Sequence, residues 1–285
     1  MLNLCDLQSQ EHYDSLVTLN VIDVGASVGL FGNFMADQSH FVNGTHSVNV
    51  ICIEPIVEIA SKIIERENLK VIAKAVLSED LIPNEGIRSF NLASNSELSS
   101  FLNLNPKINE DLWKAHLSAL VVQSKILVPC TTLEKIIQDS SWEKVDFLKI
   151  DVQGTDLDVF LSAGTEMDKI VACVLEFPFL SSSAIYSGEK NLNEGIEILG
   201  RYGFIPVRIV PNGAGECNAF FLNSKHTLEE YFELEELLQF AKAPTLKIGP
   251  HDPLINFSMT KRVALRITSI LHMIYETKLR ILLKR

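Results

Sequence analysis

Three polar motifs in this 285-residue chain each follow a short apolar run, at the position where a buried strand would end. The first is the segment 23–29, Asp-Val-Gly-Ala-Ser-Val-Gly, and the second is Glu54, after the run VNVICI. The third is the segment 149–154, Lys-Ile-Asp-Val-Gln-Gly, and Glu176 ends a further apolar run in the same way. Parallel α/β sheets bind ligands beyond the carboxyl ends of their strands. We therefore expect these residues to line one cleft.

The glycines of the first motif predict a tight connection between a strand and a helix. Gly25 and Gly29 allow the backbone to approach a ligand closely, and the helix N-terminus offers free N–H groups. The dinucleotide pattern G-x-G-x-x-G is not matched, because Ser27 and Leu30 stand at its second and third glycines. Asp23 is suited to an ammonium group, such as that of the aminocarboxypropyl end of S-adenosylmethionine. The alternative is a structural turn beside a buried aspartate.

The remaining carboxylates predict contacts with hydroxyl groups. Glu54 can accept both hydroxyls of a ribose, although an acid at this position also complements a helix N-terminus. Lys149 and Asp151 lie two residues apart on one strand and share a face, so we expect them to pair. Burying such a pair is costly unless it has a function. Asp151 is therefore the first candidate for a base or for orienting an acceptor, Glu176 is the second, and Lys149 would position Asp151 or polarise the acceptor.

The elements that must position these residues alternate along the chain. Strands are predicted over 21–24, 48–53, 71–77, 126–128, 145–151, 170–177, 204–210 and 218–222. Helices are predicted over 30–35, 56–64, 133–137, 155–161 and 192–202. This alternation predicts an α/β fold with a mostly parallel sheet covered on both faces, to which a terminal hairpin adds an antiparallel strand. The Ser- and Asn-rich stretch 80–125 is predicted to be an irregular insertion that forms a lid or substrate loop.

Composition and charge exclude several classes of protein. With 47% hydrophobic and 21% charged residues, the chain is globular rather than disordered. No apolar run approaches a membrane span and the N-terminus lacks a secretory pattern, so we expect a cytoplasmic protein. The net charge of −11 argues against a nucleic-acid partner. The five cysteines are scattered singly, which predicts neither a disulfide framework nor a metal site.

The C-terminal segment differs in charge from the rest of the chain. Residues 246–285 carry eight basic and two acidic residues, a net charge of +6 that leaves −17 for the remainder. We divide the chain into a domain over 1–224 and a helical extension over 225–285, in which residues 263–283 form a basic amphipathic helix. We expect this helix to pack on the acidic body or on a second subunit of a homodimer. Contact with an anionic membrane surface is the alternative.

Several segments together resemble the FkbM-type S-adenosylmethionine-dependent methyltransferases, over roughly residues 19–222. These segments are VIDVGASVGLFG, IEP, AVLSED, VDFLKIDVQGTDLDVFLSAG and VLEF, of which DFLKIDVxG is the most specific. The resemblance implies the class I methyltransferase fold, a Rossmann-like sheet of about seven strands with the last one antiparallel. It also implies methylation of a small-molecule hydroxyl, on a sugar or a natural product. The cofactor, S-adenosylmethionine, is expected to contact Asp23, Val24, Gly25, Ser27, Gly29, Glu54, Pro55, Ala75 and Val76.

Two positions depart from the family pattern DVEGxE. Gln153 stands where the first Glu is usual, and Asp156 stands where the second is usual. Gln153 cannot act as a base, which leaves open a methyltransferase-like binding or scaffold protein without activity. Asp156 keeps the negative charge on a shorter arm. A nicotinamide-dependent oxidoreductase is a further alternative, and the missing dinucleotide pattern argues against it.

Overall fold

A computed structural model describes residues 17–37, 46–212 and 215–226. The strands are β1 (Val17–Val24), β2 (His46–Ile53), β3 (Leu69–Ile72), β4 (Ala75–Val76), β5 (Ile87–Ala93), β6 (Val122–Thr131), β7 (Val145–Ile150), β8 (Ile170–Pro178), β9 (Phe204–Asn212) and β10 (Glu216–Asn223). The helices are α1 (Leu30–Asp37), α2 (Val57–Ala60), α3 (Glu110–Trp113), α4 (Leu133–Ser140), α5 (Asp156–Leu161) and α6 (Leu192–Arg201). The predicted C-terminal helix lies outside the described residues. Among the described helices, none has the length and apolar character to cross a membrane.

Seven strands form one mostly parallel sheet, in the order β3-β2-β1-β7-β8-β10-β9. Neighbouring strands from β3 to β8 pair in parallel, whereas β10 is antiparallel to both β8 and β9. The predicted α/β fold with a mostly parallel sheet is confirmed. β1 and β7 lie side by side, so the strand order reverses between them. Such a reversal opens a crevice at the carboxyl ends of the two strands.

Alternate residues of the central strands face opposite layers of helices. Ile22 and Val24 of β1 belong to one buried cluster with residues of α4, α5 and α6. On the other face, Val21 belongs to a second cluster with Phe31 and Met35 of α1. The period of two in a strand therefore produces two cores, and helices cover both faces of the sheet.

The stretch 80–125 is more ordered than predicted. It contains β5 and the first residues of β6, which pair antiparallel, and β4 completes a three-stranded sheet in the order β4-β6-β5. Trp113 and Leu120 from the same stretch form a small core with Ile185 and Tyr186. The prediction of an irregular insertion is therefore wrong for its secondary structure. β5 was missed because its first residues are exposed and interrupted by polar side chains, which hides the strand period.

Two predicted elements are shorter than their apolar patterns suggest. The helix predicted over 56–64 is α-helical only in α2, because the N–H groups of Lys62 and Ile63 bond to carbonyls three residues back. Ile64 consequently lies 78% exposed. The strand predicted over 71–77 is divided between two sheets. A tight turn separates β3 from β4, and in it the Lys74 N–H donates to the Ile72 carbonyl at 3.0 Å.

Candidate functional site

A cavity of about 320 Å³ opens at the carboxyl ends of β1, β2 and β7, a volume within the range of small-molecule sites. The wall contains all the residues predicted to bind a cofactor or perform chemistry except Gly29. These residues are Asp23, Val24, Gly25, Ser27, Glu54, Pro55, Ala75, Val76, Lys149, Asp151 and Glu176. The structure thus brings together side chains that are up to 153 positions apart between Asp23 and Glu176. Their individual roles stay predictions.

The two glycines of the first motif are required by packing against the protein itself. Gly25 has a φ of +78°, and a Cβ there would lie 1.8 Å from the carbonyl oxygen of Asp151. Gly29 has a φ of +75°, and its Cβ would lie 2.9 Å from Cγ1 of Ile63. The loop after β1 therefore lies directly against the end of β7. Gly25 permits this contact, in addition to any approach of a ligand.

Lys149 forms the centre of a charge network at the floor of the cavity. Asp23 and Lys149 are partners in the register of β1 and β7. Lys149 Nζ lies 3.2 Å from Asp23 Oδ1 and 3.4 Å from Asp151 Oδ2. The Lys149 and Asp23 side chains are 8% and 1% exposed, whereas that of Asp151 is 39% exposed. The predicted pairing of Lys149 with Asp151 is present, and Asp23, predicted to bind a ligand ammonium, has the lysine ammonium beside it.

Burial and the neighbouring charges shift the pKa values of Asp23 and Lys149 in opposite directions. Burial raises the pKa of Asp23, and the opposing effect of Lys149 is smaller. Burial lowers the pKa of Lys149, but the charges of Asp23 and then Asp151 oppose it, and the net shift is upward. Lys149 therefore stays a cation and compensates two carboxylates at once.

Glu54 ends β2 and fixes the loops on either side of the cavity. Its Oε2 accepts a hydrogen bond from the Ser27 N–H at 3.0 Å, and its Oε1 accepts one from the Ile56 N–H at 2.9 Å. Ser27 has a left-handed φ of 48° in the loop that makes this contact. Burial raises the pKa of Glu54, while the two N–H groups lower it. Each oxygen retains a second lone pair, so the two backbone contacts leave acceptor capacity for the predicted ribose hydroxyls.

Gln153 connects Asp151 to the opposite wall of the cavity. Its Nε2 donates to Asp151 Oδ1 at 3.1 Å, and its carbonyl oxygen accepts from the Ser100 hydroxyl at 2.7 Å. The Tyr186 hydroxyl lies 3.2 Å from Oε1 of Gln153 and 2.8 Å from the carbonyl oxygen of Leu98. Gln153 itself has a left-handed φ of 61°. The residue that departs from the family pattern thus holds Asp151 in place.

Glu176, at the end of β8, is the second carboxylate near Asp151. Asn212 Nδ2 donates to its Oε1, and its own N–H donates to Asp156 Oδ1 at 3.3 Å. Burial, and then the charge of Asp151, raise the pKa of Glu176 to about 8 against the effect of Asn212. Burial and the neighbouring charge therefore favour the protonated form of Glu176 relative to an exposed glutamate. Asp156 is buried behind this site, where burial and then the neighbouring carboxylates raise its pKa well above the ordinary value.

The stretch 80–125, predicted to be a lid or substrate loop, contributes a second wall of the cavity, but sequence reasoning named none of its residues. Its members are Phe90, Ser96, Glu97, Leu98, Ser99 and Phe101. The rings of Phe90 and Phe101 pack edge to face with centroids 4.8 Å apart, and the Ser27 hydroxyl donates to Glu97 Oε1 at 3.4 Å. These residues have no regular spacing, so the prediction of a substrate loop was the only sequence signal for this wall. Within the described ranges, no cluster of His, Cys, Asp or Glu is arranged to hold a metal ion.

Comparison with known proteins identifies the family of this chain. The family model described as the methyltransferase FkbM domain matches residues 23–206, from the end of β1 into β9. No curated protein matches the chain. The matched range contains every strand end that contributes a carboxylate to the cavity. Since the match covers more than half of the sequence, this chain belongs to the FkbM methyltransferase family.

Proposed function

We propose that this protein is an S-adenosylmethionine-dependent methyltransferase that acts on a hydroxyl group of a sugar or another polyhydroxylated small molecule. One observation carries the proposal: a single cavity joins the loop after β1, the Glu54 carboxylate and the pair of Asp151 and Glu176. Family membership supports methyl transfer. The cavity supplies the reasons for this cofactor and for a hydroxyl acceptor.

The residues of the cavity fit the cofactor in three places. Apolar side chains from two parts of the chain offer faces for a flat base. They are Ile56, Ile59, Phe90 and Phe101. Glu54 retains lone pairs for the ribose hydroxyls. The loop at Gly25 and Ser27, where both residues have left-handed φ angles, forms the third part of the wall with its backbone. When bound, the cofactor supplies an electrophilic methyl group on a sulfonium.

At the other end of the cavity, Asp151 and Glu176 have different roles towards the acceptor hydroxyl. Gln153 and Lys149 hold the two oxygens of Asp151, so its remaining lone pairs have a fixed direction in which to accept a hydrogen bond from a hydroxyl. Glu176, with a pKa of about 8, is the better proton acceptor, because a general base works best when its pKa lies near the working pH. We therefore assign orientation to Asp151 and proton removal to Glu176. This assignment reverses the order of preference that the sequence suggests.

The proposed reaction keeps its charges balanced. With the cofactor bound, the Glu176 carboxylate would accept the proton of the acceptor hydroxyl as its oxygen is methylated, and the cofactor would supply the methyl group and retain the electron pair of the bond to it. Lys149 holds the ends of β1 and β7 together through Asp23 and Asp151, so the orienting carboxylate stays in place. The positive charge of Lys149 already pairs with Asp23 and Asp151. A neutral acceptor therefore suits this end of the cavity better than a phosphorylated or carboxylated one.

Two measurements test the proposed function. Isothermal titration calorimetry compares S-adenosylmethionine with NAD, and we expect only the former to bind. The protein is then incubated with S-adenosylmethionine and a panel of neutral sugars and hydroxylated natural products, and S-adenosylhomocysteine is measured by mass spectrometry. Turnover with a product heavier by one CH₂ group supports the proposal. Binding of NAD instead supports an oxidoreductase, and binding of S-adenosylmethionine without turnover across the panel supports a scaffold protein.

A further inference from the structure

Polar side chains from three neighbouring strands share one face of the sheet at the edge of the cavity. Glu176 of β8 pairs with Asn218 of β10, and two residues further along, Glu216 of β10 pairs with Asn212 of β9. Paired residues on adjacent strands project to the same side of a sheet, and so do residues two apart on one strand. The hairpin of β9 and β10 therefore brings the amide of Asn212 to the wall that Glu176 also lines.

The end of this hairpin next to Asn212 is anchored to the small core of the insertion. The carbonyl of Gly215, just before β10, accepts hydrogen bonds from the Phe179 N–H and from the Ser183 hydroxyl, each at 2.9 Å. A Cβ at Gly215 would lie 2.8 Å from Cζ2 of Trp113, and the Trp113 indole N–H donates to the Ser183 carbonyl at 2.9 Å. The backbone that carries the start of β10 therefore needs little ordering when a substrate binds.

The two carboxyl oxygens of Glu176 differ in what they contact. Nδ2 of Asn212 donates to Oε1. Among the described residues no donor contacts Oε2, and Oε2 is not one of the side-chain oxygens that are fully buried without a partner. A carboxylate that is ready to take a proton carries no hydrogen, so only the N–H side of the amide can bond to Oε1. The N–H draws electron density from Oε1, which leaves Oε2 as the more basic oxygen.

We propose that Asn212 is a positioning residue of the acceptor site, which holds Oε1 of Glu176 so that Oε2 receives the proton of the acceptor hydroxyl. The inference rests on the proposed function, in which Glu176 takes that proton. Asp151 is held in a comparable way, because the side-chain amide of Gln153 donates to its Oδ1 at 3.1 Å. Each carboxylate at this end of the cavity thus has its direction set by one neighbouring amide.

The charged and titratable groups around Glu176 define what the loss of Asn212 would change. They lie on β7 and the loop after it, on α5, on the loop after β8 and on β10: Lys149, Asp151, Asp156, Tyr186, Glu189 and Glu216. Burial, and then Asp151, raise the pKa of Glu176 to about 8, and Asn212 opposes them more than Lys149 does. Removing the amide should therefore raise this pKa further, because the N–H group stabilises the charged form.

Two substitutions at position 212 test the role. Asn212→Leu removes the donor at similar size, and Asn212→Asp adds a second carboxylate beside Oε1; Asn212 is exposed, so neither change disturbs a core. The loss of the Glu176 proton is followed by the carboxyl band of infrared pH-difference spectra that Glu176→Gln lacks. We expect its midpoint to rise by about 0.5–1 pH unit in Asn212→Leu and by more in Asn212→Asp. Asn193→Leu, exposed on α6 outside the cavity wall, is the matched control and should keep the wild-type midpoint.

The pH profile of turnover, measured with the acceptor panel, completes the test. A rise of turnover that moves to higher pH together with the infrared midpoint supports the proposal. Lower turnover at every pH with both midpoints unchanged would assign Asn212 a merely structural role and overturn it, and so would an infrared midpoint that moves while the turnover profile does not.

Failure of the proposed function gives a different result. A wild-type protein without turnover on any acceptor refutes that function, whereas the infrared titration needs no acceptor. An infrared midpoint that stays in place in Asn212→Leu overturns the role of Asn212, whatever the turnover of the wild type.

Discussion

Removing the cation at the floor of the cavity is the most direct test of the charge network. Lys149→Met keeps the apolar length of the side chain but leaves Asp23, 1% exposed, without the ammonium 3.2 Å away. At that distance and an effective dielectric constant of about 20, two unit charges attract by about 5 kcal/mol. Breaking a buried pair from one side costs about 3–5 kcal/mol. We expect the free energy of unfolding of Lys149→Met to fall by about this amount.

The pH dependence of this loss has a defined sign. Burial raises the pKa of Asp23, and in the variant Lys149 no longer opposes that shift. A group whose pKa is higher in the folded than in the unfolded state adds stability at low pH and loses that contribution as the pH rises through the folded value. The loss in free energy of unfolding of Lys149→Met, relative to the wild type, should therefore be smallest in mild acid and largest in mild alkali. Urea unfolding followed by circular dichroism at several pH values measures it.

Two further variants separate charge from packing. Asp23→Asn combined with Lys149→Met removes both charges and should recover most of the lost stability in mild alkali. Lys135→Met is the control, because Lys135 is 65% exposed in its pair with Asp139 and should cost less than about 1 kcal/mol. The reasoning is refuted if Lys149→Met costs no more than this control. It is also refuted if the double variant is no more stable than the single one.

Three more predictions address the cofactor, the acceptor and the loop after β1. Glu54→Ala should weaken S-adenosylmethionine binding about tenfold to a hundredfold, and unchanged affinity would remove the ribose role. Turnover should rise with pH around 8 as Glu176 loses its proton, and Glu176→Gln should abolish that rise and lower turnover about 10²–10⁴-fold. An equal loss in Asp151→Asn without that pH change would return the role of base to Asp151. Gly25→Ala should destabilise the fold severely, because its Cβ would lie 1.8 Å from a carbonyl oxygen, whereas Gly200→Ala faces open space and is the thermal-unfolding control.

The sequence predicts the floor of the site well, because strand ends in a parallel sheet meet at one edge. Glu54 follows an apolar run, and so does Asp151, which is enough to place both at the cavity. The spacing of two residues also predicts the contact between Lys149 and Asp151. The contact between Lys149 and Asp23 is different, because it depends on the register of β1 against β7, two strands 126 positions apart at these residues. No local pattern encodes that register.

The second wall could not be predicted for a related reason. Phe90 and Phe101 meet because β5 pairs with β6 and returns the chain to the cavity, and the polar residues between them hide that pairing. Glu97 lies in a short 3₁₀ turn held by Asn95, with nothing in its local sequence to distinguish it from a solvated acid.

Gln153 shows how a departure from the family pattern can be compatible with activity. A glutamate at this position would place a second carboxylate where Gln153 Nε2 now donates to Asp151 at 3.1 Å, and like charges at that distance repel. The amide removes that repulsion and fixes the direction of Asp151 instead. A missing base at position 153 is no obstacle if Glu176 takes the proton, since its pKa of about 8 already suits that role. The substitution that leaves an inactive scaffold open in the sequence is therefore compatible with the proposed roles, in which Asp151 orients the acceptor and Glu176 takes its proton.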